Sequence, residues 1–199
     1  MKNIFKNPVV VVLLSVCFFV SAKTYAVNNP RERPVSYSMN SGRTGVLFDF
    51  GIYYGQSEAT ADPALGNEWK NLTSIYDIKL GYIFDSNFYL GGEYSTRNDS
   101  MITTSNQGGT AAAGLGIFWG TGFHARAFYR INENFGSYTD GSGFQADLGY
   151  MTNLSSNFYV GVLFSHRQVT YKSNSSIVGF NSYTKKDTQP MLTLGFLIN

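Results

Sequence analysis

Tyr76-Asp77-Ile78-Lys79-Leu80-Gly81-Tyr82-Ile83-Phe84 is the stretch whose reading decides the fold. Tyr76, Ile78, Leu80, Tyr82 and Phe84 fall at every second position, and both charges, Asp77 and Lys79, fall between them with Gly81. Period two marks an extended strand whose two faces meet different surroundings. The face that holds the ions also holds the small residue. Such a strand expects hydrocarbon on its apolar side and a crowded polar interior on the other.

Seven further segments repeat this parity. Val46, Phe48, Phe50, Ile52 and Tyr54 oppose Leu47, Asp49, Gly51, Tyr53 and Gly55, and Phe88, Leu90, Gly92 and Tyr94 oppose Tyr89, Gly91, Glu93, Ser95 and Arg97. Ala111, Ala113, Leu115, Ile117 and Trp119 oppose Ala112, Gly114, Gly116 and Phe118; Phe123, Ala125, Ala127, Tyr129 and Ile131 oppose His124, Arg126, Phe128 and Arg130. Phe144 to Tyr150 sets Gln145, Asp147, Gly149 and Met151 on its minority face. Phe158 to Phe164 sets Tyr159, Gly161, Leu163, Ser165 and Arg167 there, and Leu192 to Ile198 sets Met191, Thr193, Gly195 and Leu197. With the phase taken from the apolar residues alone, every charge lands on the minority face. A soluble β-sandwich also alternates, but its solvated face carries Lys, Glu and Thr rather than glycine. Charged residues make up only 14 % of the chain and aromatics 16 %, an unusual balance for a water-soluble domain. The expected fold is all-β: an eight-stranded antiparallel transmembrane barrel of up-and-down topology, over residues 43–199.

The N-terminus reads as an export signal. Lys2 and Lys6 precede an uncharged run from Pro8 to Val20, followed by Val20-Ser21-Ala22 and Thr24-Tyr25-Ala26 with small residues where a signal peptidase reads. The run is 13 residues, too short to span a bilayer as a helix. Cleavage is expected after Ala26, with Ala22 as the alternative, leaving 27–42 as a short periplasmic leader. Removing 1–26 takes three of the 15 Lys and Arg and none of the 13 Asp and Glu, so the mature chain carries 12 − 13 = −1. That charge gives no support for a nucleic-acid partner. Cys17, the only cysteine, lies in the apolar run. Val16 is too bulky before it for a lipoprotein site, so the mature protein is expected to lack disulfides and thiolate metal ligands.

Connections alternate in length. Asp85-Ser86-Asn87, Gly120-Thr121-Gly122 and Thr152 to Asn157 are short; Ser57 to Glu68, Asn98 to Gly109, Asn132 to Ser142 and Lys172 to about Lys186 are long and polar. Tight turns on one rim and extended loops on the other match barrels whose turns face the periplasm. Leu80-Gly81-Tyr82 with Asn87-Phe88-Tyr89-Leu90-Gly91 resembles Leu148-Gly149-Tyr150 with Asn157-Phe158-Tyr159-Val160-Gly161, a repeat of one hairpin. Phe84, Trp119, Phe123 and Phe196 are expected in an inner aromatic girdle, and Tyr54, Tyr76, Tyr94, Tyr129 and Phe144 in an outer one.

These residues together resemble the small outer-membrane barrels of the OmpX, OmpW, opacity-protein and OmpA transmembrane type. The resemblance spans about residues 43–199 and is one of pattern, including the closing strand Leu192-Thr193-Leu194-Gly195-Phe196-Leu197-Ile198. It implies residence in the bacterial outer membrane, with lipid and lipopolysaccharide around the barrel and an assembly machinery that reads a terminal aromatic residue. This chain ends in Asn199 instead, which shifts that reading to Phe196 and Ile198.

The parity turns Asp49, Asp77, Lys79, Glu93, Arg97, Arg126, Arg130, Asp147 and Arg167 into a narrow lumen, where they are expected to pair and plug it. No metal cluster, phosphate loop or nucleotide fingerprint is present, and Gly114-Leu115-Gly116 opens no helix, so no cofactor is expected. His124 points inward near the periplasmic rim, and His166 takes the outward parity near the outer end of its strand. Its same-face neighbours are Phe164 and Gln168, so the His-x-Ser pairing of lipid A deacylases is missing and no enzyme activity is expected. A structural or surface-interaction role through four outer loops, with Phe135, Tyr138 and Tyr183 among their contact residues and host or surface ligands as partners, leads. A narrow channel for small or apolar solutes is the alternative. Ile78→Arg or Leu115→Arg is expected to cost ~2–4 kcal/mol in a bilayer, read by urea titration of vesicle-folded protein; a cost near zero would show that these side chains do not meet hydrocarbon.

Overall fold

The computed structural model describes residues 44–60, 68–100, 105–155 and 157–198, so the expected signal peptide, the leader and Asn199 lie outside the described residues. In chain order the strands are β1 (Gly45–Thr60), β2 (Glu68–Ile83), β3 (Phe88–Ser100), β4 (Ser105–Phe118), β5 (Phe123–Phe135), β6 (Tyr138–Asn153), β7 (Phe158–Tyr171), the two-residue β8 (Ser173–Asn174) and β9 (Tyr183–Ile198). Each long strand pairs antiparallel with its chain neighbours, β9 returns to pair with β1, and the sheet closes into an eight-stranded barrel. β8 is a spur that pairs with the start of β6.

Closure leaves a measurable shear. From Ile52 the register partners run through Tyr76, Thr96 and Gly109 to Asn134 on β5; the other way they run through Leu192, Val162 and Tyr150 to Phe123. The two arrivals differ by 134 − 123 = 11 positions, one of them a β-bulge between Gly109 and Ala111, which leaves ten. Eight strands with that shear tilt by roughly 40° and enclose a radius of roughly 8 Å, from a rise of ~3.3 Å and a spacing of ~4.8 Å. A cylinder that narrow has room for inward side chains and little else.

The sorting by parity is complete. Leu47, Ile75, Ile83, Tyr89, Phe118, Phe128, Met151, Tyr159, Leu163, Met191 and Leu197 are buried inside, while Val46, Phe48, Ile52, Ile78, Leu80, Leu90, Leu115, Ile117, Leu148, Phe164, Leu194 and Ile198 are exposed outside. With the shear taken into account, Tyr54, Tyr76, Tyr94, Tyr129 and Phe144 come to nearly one height, and Phe84, Trp119, Phe123 and Phe196 to another nearer the short-turn rim. All nine rings are exposed on the outer wall.

The short turns are built as tight reversals. Asn87 N–H donates to the Phe84 carbonyl at 2.8 Å and Gly122 N–H to the Trp119 carbonyl at 2.9 Å, with φ of 63° at Asn87 and 96° at Gly122. Both are left-handed conformations that asparagine and glycine tolerate. Turn and next strand are then stitched together: Phe118 N–H donates to Asn87 O, Met151 N–H to Gly122 O, and Leu197 N–H to Asn157 O.

The opposite rim differs from the sequence expectation. Two of the four segments read as polar loops, Asn98 to Gly109 and Asn132 to Ser142, are mostly strand, and a third, Ser57 to Glu68, has strand at both ends. Asn98, Asp99 and Ser100 lie across from Gln107, Asn106 and Ser105, Ser57 lies across from Asn71, and Glu133 and Phe135 oppose Gly141 and Tyr138. Beyond the outer aromatic belt the outward face of a strand turns polar, so no apolar phase sets period two although the ladder continues. His166 is displaced by the same extension: β7 runs on to Tyr171, so this residue sits in mid-strand at the height of the outer belt.

Gly81 and Gly91 face each other across β2 and β3, and the Tyr89 ring occupies the space that their side chains would take. A Cβ on Gly91 would lie 2.5 Å from the Leu80 carbonyl oxygen and 2.7 Å from the Gly81 Cα, both backbone, whereas one on Gly195 would meet nothing closer than 3.5 Å. Gly91→Val is therefore expected to lose about 1–3 kcal/mol and Gly195→Ala less than about 1 kcal/mol, read as the urea midpoint in detergent. Equal losses would show that Tyr89 does not set the spacing.

Candidate functional site

The lumen is layered along the barrel axis. Nearest the short turns, Leu47, Ile83, Tyr89, Ala112, Phe118, Phe128, Met151, Tyr159 and Leu197 pack into an apolar floor. Arg126 lies above them with its guanidinium carbon 5.7 Å from the Tyr89 ring centre and 5.9 Å from that of Phe118, a cation over aromatic faces. Its Nη1 is 2.8 Å from Asp49 Oδ2, and its Nη2 is 3.9 Å from Asp147 Oδ2. The contact with Asp49 is ionic but off hydrogen-bond geometry, and all three Arg126 nitrogens lack an aligned acceptor.

Above that layer one ammonium meets three carboxylates. Lys79 Nζ is 3.1 Å from Asp77, 3.2 Å from Glu93 and 3.4 Å from Asp147. Asp77 also receives the Ser95 hydroxyl at 2.7 Å and the Arg167 guanidinium. Arg130 donates to Glu93 at 2.8 Å and to Glu133 at 2.7 Å, and Gln145 donates to Glu93 at 2.7 Å and Asp147 at 2.9 Å. The network draws on five strands, β2, β3, β5, β6 and β7, and its side chains are almost wholly buried.

A third cluster closes the outer mouth. Arg97 holds Asp99 through two parallel hydrogen bonds of 2.8 and 2.9 Å, and Asp187 through one of 2.6 Å and a longer one of 3.4 Å. Lys185 reaches Asp99 at 2.8 Å while lying 3.7 Å over the Phe135 ring. Tyr171 donates to Glu133 at 2.9 Å. Phe135, Tyr138, Tyr171, Phe180 and Tyr183 form an aromatic roof, with Tyr138 5.0 Å from Tyr183 centre to centre. Beneath it the free space is about 10 Å³, the room of a single water.

All nine acids and bases placed inside by parity are found inside, and eight of them belong to one continuous ionic system with Arg97 in the cluster above. Asp99, Glu133 and Lys185 fall in segments that read as loops, and Asp187 falls between the last loop and the last alternating segment, yet all four are network members on strand extensions. Their signal was present, since Arg97 and Asp99, like Lys185 and Asp187, alternate with period two. Phe135, Tyr138 and Tyr183 join Tyr171 in the aromatic roof over the mouth, and among the described residues the most exposed apolar side chains of the outer hairpins are Ile177 and Val178.

His124 is fully buried and stacked on Phe118 at 4.9 Å, with neither ring nitrogen hydrogen-bonded. His166 on the outer wall shares a 2.7 Å hydrogen bond between Nδ1 and Thr188 Oγ1, a pairing across β7 and β9 that sequence reading does not give. No carboxylate joins it among the described residues, and no cluster of three or more His, Cys, Asp or Glu able to hold a metal occurs among them.

Neither models of known protein families nor curated proteins match the sequence. What classifies the chain is its architecture: a closed eight-stranded antiparallel barrel with a layered ionic lumen.

Burial alone raises the Asp99 carboxyl, but the hydrogen bonds from Arg97 and the charges of Arg97 and Lys185 reverse this and hold it below the ordinary carboxylate range. A carboxyl lowered on folding stabilises fully above its unfolded value, about 4, and stops contributing as pH falls through the folded one. Asp99→Asn should therefore lower the thermal midpoint at neutral pH and lose that effect in acid below about pH 4. A penalty that persists there would assign it to packing.

Proposed function

We propose that the chain is an outer-membrane barrel with a structural and surface-interaction role, its lumen closed and its outer hairpins exposed for contact. The observation that carries this reading is the exterior. A continuous apolar wall runs between two aromatic belts, with Leu80, Leu90, Leu115, Leu148 and Phe164 each more than half exposed. Monomeric water-soluble proteins keep contiguous apolar patches to a few hundred Å²; a closed sheet with apolar-out, ionic-in alternation is one of the two architectures that hydrocarbon permits. The signal-like N-terminus and the short-turn, long-hairpin asymmetry support export and an orientation with the hairpins outside. Lipid and lipopolysaccharide are then the immediate partners, Phe196 and Ile198 the residues offered to the assembly machinery, and the Ile177–Val178 tip the apolar element offered to a host or surface ligand. The resemblance to barrels of the OmpX and OmpA transmembrane type belongs to the same reading.

A plugged lumen argues against the channel alternative, because among the described residues the floor, the ionic layers and the roof fill the barrel interior one above another. Refolded protein is expected to co-float with lipid vesicles, to migrate faster on gels before heating than after, and to give flat single-channel traces in planar bilayers. Recovery as a monomer in buffer free of amphiphile would overturn the membrane assignment; discrete conductance steps would overturn the plugged lumen.

A further inference from the structure

On β5 the parity of the wall changes. Up to Ile131 its odd positions face outward, yet beyond it Glu133 and Phe135 are buried inside while Asn132 and Asn134 are exposed outside. One extra residue makes the switch, and both neighbouring ladders record it. Thr110 on β4 faces two residues, Asn132 and Glu133, between the pairs Gly109–Asn134 and Ala111–Ile131; Ser142 on β6 faces Ile131 and Asn132 between Arg130–Gly143 and Glu133–Gly141. Asn132 holds the left-handed turn of this bulge with φ of 52°, a backbone that asparagine adopts more readily than most residues. Bulges re-aim side chains. Inward, this one gives Glu133 to Arg130 at 2.7 Å; outward, it sets Ile131 and Asn132 side by side.

Across from them the wall is low. β4 offers only Gly109, Ala111 and Ala113 outward, between Ile131 and Asn132 on one bank and Tyr94 of β3 on the other. The result is a groove of about 720 Å³ lined by Tyr94, Ala111, Ala113, Ile131, Asn132 and Asn134, within the roughly 300–1,000 Å³ of small-molecule sites. Tyr94 is 55 % exposed, and its hydroxyl lies 3.6 Å from where a Cβ of Gly109 would be, so the ring leans over β4 toward the hairpins. Among the described residues no side-chain hydrogen bond or ring contact engages Tyr94, Asn132 or Asn134.

The lining selects a ligand class. No residue of the groove is charged, and the nearby ions Arg97, Arg130 and Glu133 point into the lumen. Just above, the outward residues Thr96, Asn98, Ser105 and Gln107 are hydroxyls and amides. A phosphate, sulfate or carboxylate finds no cation here. A peptide strand finds no open ladder, since β4 and β5 are paired on both sides, and an acyl chain leaves the amides unanswered. Carboxamides both donate and accept, and an exposed aromatic face packs against C–H groups. A ring with C–H bonds on its face and hydroxyls round its edge meets both demands.

We propose that this groove binds uncharged hexose units of a surface glycan, one sugar face lying on Tyr94 and its hydroxyls bonded to the amides of Asn132 and Asn134. Tyr94 belongs to the outer belt and the amides stand on its hairpin side, so the sugar enters from beyond the hydrocarbon layer. The inference names a ligand class for the surface-interaction reading and rests on it.

The test uses the full mature chain in nanodiscs free of sugar-based detergent, with NMR of the asparagine side-chain amides and saturation transfer from the tyrosine rings. The probes are maltotriose, cellotriose and lactose, with lactose sulfated on its galactose as the charged control. A neutral probe should shift the amides of Asn132 and Asn134 and take up saturation, and the sulfated one should do neither. Tyr94→Leu and Asn132→Gly, the second keeping the left-handed turn, should each weaken binding roughly five- to tenfold. Ala113→Trp, a change on the exposed wall, should fill the groove and abolish it, while Tyr76→Leu elsewhere on the belt should leave it unchanged. Unmoved amides with all three neutral probes would overturn the site, as would binding that survives Ala113→Trp; tighter binding of the sulfated lactose would overturn the ligand class. Vesicle flotation of the same sample separates the two readings. A floating barrel blind to these sugars loses only this inference, and sugar binding by a chain monomeric in amphiphile-free buffer loses only the membrane assignment.

Discussion

The contact on which this barrel depends is that of the Lys79 ammonium with the carboxylates of Asp77, Glu93 and Asp147. Three acids and one base arrive from β2, β3 and β6, and Arg130 and Arg167 bring the compensating charge from β5 and β7. Taking these groups out of water is costly, and only close pairing with hydrogen bonds on the remaining lone pairs offsets it. The arrangement therefore works in one register. A slip of one residue on any of those strands turns its ion to the outer wall and strands its partners in the lumen. The apolar exterior specifies far less, since Leu, Ile, Val and Phe are nearly equivalent against a disordered medium. Hydrocarbon or any other apolar surrounding selects the barrel as a class; the ions select this barrel.

The same demand explains how the lumen is filled. A radius near that of an eight-stranded cylinder leaves too little room for a large side chain on every inward position. Large inward groups consequently sit beside inward glycines on the neighbouring strand. Phe128 takes the space beside Gly114, and the His124 ring lies 2.6 Å from where a Cβ of Gly149 would be. The floor is closed in this way by rings and methyls, while the middle is closed by guanidinium and carboxylate planes. The two ends differ in how well their polar groups are answered. Arg126, His124 and both Asp49 oxygens lack aligned hydrogen-bond partners near the floor, whereas Arg97 and Asp99 near the mouth are bonded twice over.

Much of this was legible from one rule. Asp77 and Lys79 declare their face because Ile78 and Leu80 declare the other, and the same logic placed Asp49, Glu93, Arg126, Arg130, Asp147 and Arg167 inside. The rule stops where both faces are polar. Asp99, Glu133, Lys185 and Asp187 lie on strands whose outward residues are Asn98, Asn134, Lys186 and Thr188, so no apolar phase marks them; the first three read as loop, and Asp187 falls outside the alternating segments. Pairing is a separate matter. Arg97 and Asp187 stand 90 positions apart, and only the shear, a property of the closed ring, brings them together. Parity gives the side of the wall; it does not give the neighbour.

Pro190 shows how the two kinds of cohesion divide the work. Below it, β1 and β9 are joined by a ladder, which is indifferent to ionic strength and gives way only as a unit. Above it, β9 keeps its ladder to β7 but faces β1 with no matching ladder, and ion pairs to β3 take over. Those pairs lie at the mouth, where Arg97, Asp187 and Lys185 retain some exposure and their attraction is open to screening. The outer half of β9 can therefore shift without breaking a backbone hydrogen bond to β1. Its restraint is electrostatic and local, and the proline confines that freedom to the part of the wall beyond the zipped seam.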